Sequence, residues 1–145
     1  MAVLSWIFIG LIVFILIKSL TGFIKGGSKE TDERLSEGRF SVEIFYTLLV
    51  TYTIVILGFG LIYFILSLQG IILVEGDELR KVGIIGSLVH SFYFSGVTML
   101  TIGYGDIVPI GIGRLVALIQ ALIGYVLPTA FVLRLVVTTK EKVED

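Results

Sequence analysis

The stretch Ile84–Gly113 reads IIGSLVHSFYFSGVTMLTIGYGDIVPIGIG, and what it can and cannot be decides the fold. It is apolar at first, then dense in glycine, with Asp106 and Pro109 near its end. Ser87 can cap a short helix running to about residue 99, but Thr101-Ile102-Gly103-Tyr104-Gly105 is a poor helix continuation, with two glycines in three residues. Irregular backbone survives at membrane depth only where protein or a water-filled cavity satisfies its polar groups. The pattern therefore predicts a re-entrant element: a helix over about 87–99, then a loop over 101–105.

Working outward, charges mark where spanning helices can lie, because a charge at the bilayer centre costs roughly 2.5–3.5 kcal/mol on insertion scales. After the loop, Leu115–Leu133 supplies 19 uncharged residues between Arg114 and Arg134, and a helix over about 114–137 is expected. Before it, residues 44–74 carry no charge, but Gln69-Gly70 interrupts them, so the helix is placed at about 44–68. A polar excursion over 69–86 holds Glu75, Asp77, Glu78, Arg80 and Lys81. Ala2–Ile17 is apolar all round and Lys18 can snorkel, which makes residues 1–20 a further membrane helix. The alternative, a secretory signal peptide, lacks a basic start and a small-residue cleavage site. Residues 21–43 read as a solvated connector and 138–145 as a short tail.

Composition agrees: of 145 residues 56% are hydrophobic and 16% charged, far from a soluble domain. A net charge of −1 supplies no field for nucleic acid, and the lack of Cys excludes disulfides, thiolate nucleophiles and Cys-ligated metal. No catalytic constellation and no cofactor is indicated. Lys and Arg number five over 18–39, two in the excursion and three from Arg134 onward, which predicts a cytoplasmic connector and C-terminus, an outside N-terminus and a loop opening outward.

The glycines give the loop its chemistry. Residues tolerating positive φ alternate with ordinary ones, so successive carbonyls can face one side as a ribbon of oxygens. Several ribbons around an axis stack oxygen rings that replace the hydration shell of a monovalent cation. The chain holds one copy, so the cage needs further chains, and fourfold closure is the natural arrangement.

Thr101-Ile102-Gly103-Tyr104-Gly105-Asp106 resembles the filter of tetrameric potassium channels, and the order of outer helix, turret, pore helix, filter and inner helix over 44–137 is similar to their two-transmembrane pore module. The resemblance implies an all-α membrane protein of three transmembrane helices plus a re-entrant pore helix and filter loop, assembled as a homotetramer in the cell membrane. It implies that the carbonyls of Thr101, Ile102, Gly103 and Tyr104, with the Thr101 hydroxyl, hold K⁺, and that Gly105 completes the mouth. Asp106 is expected behind the filter, and Tyr93 and Phe94 are candidate neighbours of the Tyr104 ring or ordinary pore-helix packing. Val97 stands where some members carry a buried Glu that partners the aspartate, and Leu100 where many carry a second Thr. Gly124 matches the place where members bend the inner helix, with close helix packing as the alternative.

Pro128 is expected to kink the inner helix. Val132, Leu133 and Val136 are candidates for an apolar constriction at the cytoplasmic end, or for lipid contact. Gln120 is expected to hydrogen-bond to a neighbouring helix, Arg134 to anchor at lipid headgroups, and His90 to be either a buried imidazole or a pH sensor. No segment carries Arg or Lys at every third position, as a voltage sensor would. The gating stimulus is left open, a separate cytoplasmic gating protein being one source. Two other classes compete. Gly103-Tyr104-Gly105-Asp106 satisfies a Gly-x-Gly-Asp intramembrane protease pattern, which requires a second membrane aspartate, whereas Asp32, Asp77 and Asp145 fall outside the spans. A non-conducting accessory subunit would share the loop without passing current.

Overall fold

The computed structural model describes residues 2–25, 39–70, 72–75 and 83–144. The central connector residues 26–38 and most of the charged excursion, 76–82, lie outside the described residues. The chain runs α1 (Ala2–Lys25), α2 (Arg39–Gln69), β1 (Leu73–Glu75), α3 (Ile84–Met99), β2 (Ile107–Pro109) and α4 (Gly113–Glu144). Three of these are long and apolar enough to cross a membrane, over Val3–Gly22, Phe45–Gln69 and Gly113–Leu133, and α3 is the shorter apolar helix between them. The protein is thus a mostly helical membrane protein with a re-entrant-length helix before its last span.

Each helix exceeds its sequence boundaries for a physical reason. Charged residues end an apolar span without ending a helix, so α1 continues through Lys18 to Lys25, α2 begins at Arg39 inside the expected connector, and α4 runs through the expected tail to Glu144. At α3 the N-cap is Gly83, not Ser87. The chain is extended there (φ −62°, ψ 167°), and the Ser87 backbone N–H donates to the Gly83 carbonyl at 2.9 Å, which puts Ser87 inside the first turn.

The expected turret also contains a strand. Two three-residue strands are too short for an alternating pattern to show in sequence, yet β1 and β2 pair antiparallel with Leu73 opposite Pro109 and Glu75 opposite Ile107. The Ile110 N–H extends the pairing to the Ile72 carbonyl at 2.8 Å. Pro109 lies at the end of its strand, where a missing donor is tolerated. The ribbon ties the segment after α2 to the segment after the loop.

The core lies where α2, α3 and α4 meet, built on Val55, Tyr63, Phe94, Met99 and Leu127. Two glycines on α2 set how closely its neighbours approach. A Cβ at Gly58 would stand 2.7 Å from Leu16 Cδ2 of α1, and one at Gly60 would stand 2.6 Å from Phe92 Cδ1 of α3. Leu16 is the buried contact of α1, most of whose other apolar residues face outward.

Candidate functional site

The loop begins where α3 runs out of regular backbone. Leu100 N–H still bonds back to the Gly96 carbonyl, and Thr101 N–H reaches the Thr98 carbonyl at 3.1 Å. The next two amides then converge on one acceptor: Ile102 N–H at 2.9 Å and Gly103 N–H at 3.3 Å both donate to the Val97 carbonyl. Alternate residues take the left-handed conformation, with φ of 56° at Thr101, 58° at Gly103 and 78° at Gly105. The glycines adopt it freely. For β-branched Thr101 it is a true outlier costing about 1–2 kcal/mol, and it is the position no glycine announced. Among the described residues none of the carbonyls of Thr101, Ile102, Gly103, Tyr104 and Gly105 accepts a hydrogen bond, and all five residues are exposed on the single chain. Donors turned inward and acceptors left open is an arrangement suited to holding cations.

Asp106 follows and is fixed from two sides. The Tyr93 hydroxyl donates to its Oδ2 at 2.6 Å, and the Ile107 N–H donates to Oδ1 at 2.9 Å. The Tyr93 bond, then the Ile107 amide and the nearby His90, hold the carboxyl below the usual carboxylate range, and the same bond is the main reason the phenol is pushed up to about 12. Val97 leaves Asp106 without the buried Glu of some channel members, and a residue one turn further back fills that role with a hydroxyl. Phe94, read as a neighbour of the Tyr104 ring or as ordinary helix packing, takes the packing role within the chain: it is buried against Tyr63, edge to face at 5.1 Å between ring centres. It braces α3 against α2.

A buried polar chain joins all three core helices behind the loop. Tyr63 of α2 donates to Gln120 Oε1 at 2.9 Å; Gln120 Nε2 donates to the Ser95 carbonyl and hydroxyl at 2.9 and 2.7 Å; the Ser95 hydroxyl donates to the Ile56 carbonyl at 2.8 Å. Gln120 is fully buried and bonds to helices as its place in an apolar span implied. Such a network is rigid because each of these buried groups would be costly to leave unpaired.

At the expected bend, Gly124 is buried against the end of α3: a Cβ there would overlap the Met99 backbone carbonyl. Tight packing is therefore a definite role for this glycine. Pro128 lies inside α4, which continues past it to Glu144. Val132, Leu133 and Val136 are exposed on the single chain, while Phe131 packs edge to face on Phe45. Beside the ribbon, His90 Nε2 lies 3.6 Å from Glu75 Oε2 of β1, an ion pair when the imidazole is protonated.

An open carbonyl ribbon between a short re-entrant-length helix and a spanning helix is the pore-loop arrangement of ion channels. A family model described as "Ion channel" matches residues 51–141, which takes in most of α2, the loop and nearly all of α4, and the chain belongs to that family. It is also similar to Protein LctB of Bacillus caldotenax and to Protein LctB of Geobacillus stearothermophilus, each 33% identical over 134 residues that cover 92% of this chain and 96% of the relative. These alignments are long enough to take in α1 as well as the pore segments. No solved structure matches the chain.

Proposed function

We propose that four copies of this chain form a potassium-selective channel that passes K⁺ passively down its electrochemical gradient. The observation that carries the reading is the alternation of left-handed residues at Thr101, Gly103 and Gly105, with the Ile102 and Gly103 amides tied back to the Val97 carbonyl. That alternation turns successive carbonyls to one side, and four such ribbons around an axis replace the water around a dehydrated K⁺ with rings of oxygen. Thr101, Ile102, Gly103 and Tyr104 contribute the carbonyls, the Thr101 hydroxyl adds the innermost ring, and Gly105 forms the outer mouth. The exposure of Leu100, Ile102 and Tyr104 on one chain supports the assembly, because large apolar groups beside a polar ribbon need partner copies to cover them.

The remaining residues serve that geometry. The C-terminal end of α3 directs roughly half a negative charge per copy toward the ion path below the loop, which favours cations of any kind. Selectivity then falls to the oxygen cage. Tyr93 and Asp106 hold its outer end, and Gly124, Pro128, Val132, Leu133 and Val136 form the segment of α4 through which the cytoplasmic end opens and closes, whether driven by the bilayer or by a separate cytoplasmic protein. The excess of Lys and Arg in the connector and tail supports an outside N-terminus and a cytoplasmic C-terminus in the cell membrane.

Purified protein in vesicles tests the reading by flux of K⁺, Rb⁺ and Na⁺. The expected result is K⁺ and Rb⁺ flux with little Na⁺ flux in the parent, and loss of that discrimination in Gly103→Ala, whose Cβ resists the left-handed φ. Equal permeation of Na⁺ and K⁺ in the parent overturns selectivity; an unaltered Gly103→Ala overturns the assigned site.

A further inference from the structure

Inside a helix, the carbonyl four residues before a proline loses its amide donor. In α4 that carbonyl belongs to Gly124, since Pro128 has no N–H to return to it. Gly124 is buried, and in a membrane interior an unpaired peptide carbonyl is costly. The structure shows where its partner comes from: the Tyr52 hydroxyl of α2 donates to the Gly124 carbonyl at 3.0 Å, across 72 positions of sequence. The next carbonyl down, Tyr125, accepts a hydroxyl from Thr129 at 3.3 Å. Two consecutive carbonyls at the proline thus carry side-chain hydroxyls, one supplied by α4 itself and one by its neighbour. Directly above, the Gly124 α-carbon is pressed against the Met99 carbonyl, two residues before the loop.

We propose that Tyr52 is a positioning residue for the pore: its hydroxyl stands in for the amide that Pro128 lacks and so pins the weakest point of α4 to α2 beside the foot of α3. The part of α4 beyond Pro128 is coupled to the part before it by one fewer backbone bond, and it can pivot there. Any pivot that carries Gly124 away from α2 must give up the Tyr52 bond. The hydroxyl therefore biases the equilibrium between helix positions toward the one described here. The proposal rests on the channel reading only in taking α4 as the helix whose movement opens the path.

The distinguishing feature is that Tyr52 matters because of Pro128. In Pro128→Ala the restored amide returns to the Gly124 carbonyl and makes the hydroxyl redundant. The experiment compares the parent, Tyr52→Phe, Pro128→Ala and the double variant in lipid. Open probability is one readout. The other is the distance between spin labels at Leu49→Cys and Val136→Cys, in protein diluted with unlabelled copies; the chain has no cysteine of its own to compete for label. Loss of one hydrogen bond shifts the equilibrium constant between positions about three- to tenfold in Tyr52→Phe, while in the Pro128→Ala background the same change shifts it less than about twofold. An equal shift in both backgrounds, or none in the parent, overturns the proposal. Should Tyr52→Phe fail to assemble, assembly of the double variant upholds the coupling and failure of both refutes it. If no K⁺-selective current is found, the channel reading falls, and the label distances still decide whether Tyr52 pins the helix.

Discussion

The loop over Thr101–Gly105 and the stretch of α4 over Gly124–Pro128 both interrupt regular backbone bonding, and they do so in opposite ways. In the loop, the amides of Ile102 and Gly103 are consumed by one carbonyl, Val97, and the loop's own carbonyls accept nothing among the described residues. At Gly124 a single carbonyl is freed by Pro128 and is at once taken by Tyr52. A row of open acceptors beside amides that are already paired is what the proposed ion path requires. One freed acceptor supplied by a neighbouring helix is built as a joint. The difference lies in what the protein has provided to fill the vacancy, which the backbone break alone does not reveal.

The contact between the two regions, Gly124 against Met99, is where the comparison breaks most readily. Gly124→Ala places a methyl group onto a backbone carbonyl that has no freedom to move aside, so α3 and α4 must separate. Overpacking of this sort costs about 1–3 kcal/mol, and here the displacement reaches Thr101 two residues on. The expected result is a less stable assembly in detergent melting together with disturbed ion discrimination. A variant that changed gating alone would show the two regions to be independent.

Gln120→Leu is the next largest. It removes the link that joins Tyr63, Ser95 and, through Ser95, the Ile56 carbonyl, and it leaves the buried Tyr63 hydroxyl without an acceptor. A buried polar group left unpaired costs about 1–3 kcal/mol, so thermal unfolding of the assembly should fall accordingly. Since the network grips α3 rather than the lower half of α4, discrimination among K⁺, Rb⁺ and Na⁺ should degrade more than open probability changes.

The Tyr93–Asp106 bond gives a pH prediction of definite sign. Asp106 is held below its ordinary value, so the stabilisation it gives is present above the usual carboxylate pKa of about 3.9 and is lost as pH falls through the depressed value. Tyr93 is raised, so its contribution is present below the ordinary phenol pKa of about 10 and is lost as pH rises through about 12. Between those limits the bond stays intact. Tyr93→Phe should therefore produce at neutral pH the loss of sustained current that the parent shows only under strong external acid, in recordings at stepped external pH. A parent already impaired at mildly acid pH would show that the Tyr93–Asp106 bond is not what sustains the current.

How far sequence alone carried the structure differs along the same lines. Gly103 and Gly105 announce positive φ by residue type, and uncharged runs announce spans by the cost of burying charge. Thr101 takes the same backbone conformation without announcing it, because its strain is imposed by the turn off α3. Gln120 could be read as a hydrogen-bonding residue from its isolation in an apolar run, but not its partners. Tyr93 could be read as a neighbour of the Tyr104 ring or as ordinary helix packing, but the choice of Asp106 as its acceptor is a matter of side-chain direction. The β1–β2 ribbon was not legible, since three-residue strands show no period. Tyr52 was least legible of all. The pairing rule that frees the Gly124 carbonyl is written in the position of Pro128, whereas the donor that answers it is one of several aromatic residues in a mainly apolar helix.

The smallest expected effect on conduction concerns α1, whose Leu16 fits onto Gly58 of α2, with Ile9, Ile12 and Leu20 also packed against the core. Leu16→Ala removes the side chain that fills the notch left by the glycine, and truncation of a buried Leu costs about 2 kcal/mol at the low end of its range, the end that suits a helix free to close the gap. Neither the loop nor the joint at Gly124 is built on that contact, so single-channel conductance and ion selectivity should match the parent while hydrogen exchange in the middle of α1 accelerates. A change in conductance would mean that α1 reaches the pore through α2, by way of Gly60, two residues on from Gly58, and Phe92, and would join the peripheral helix to the machinery that positions α3.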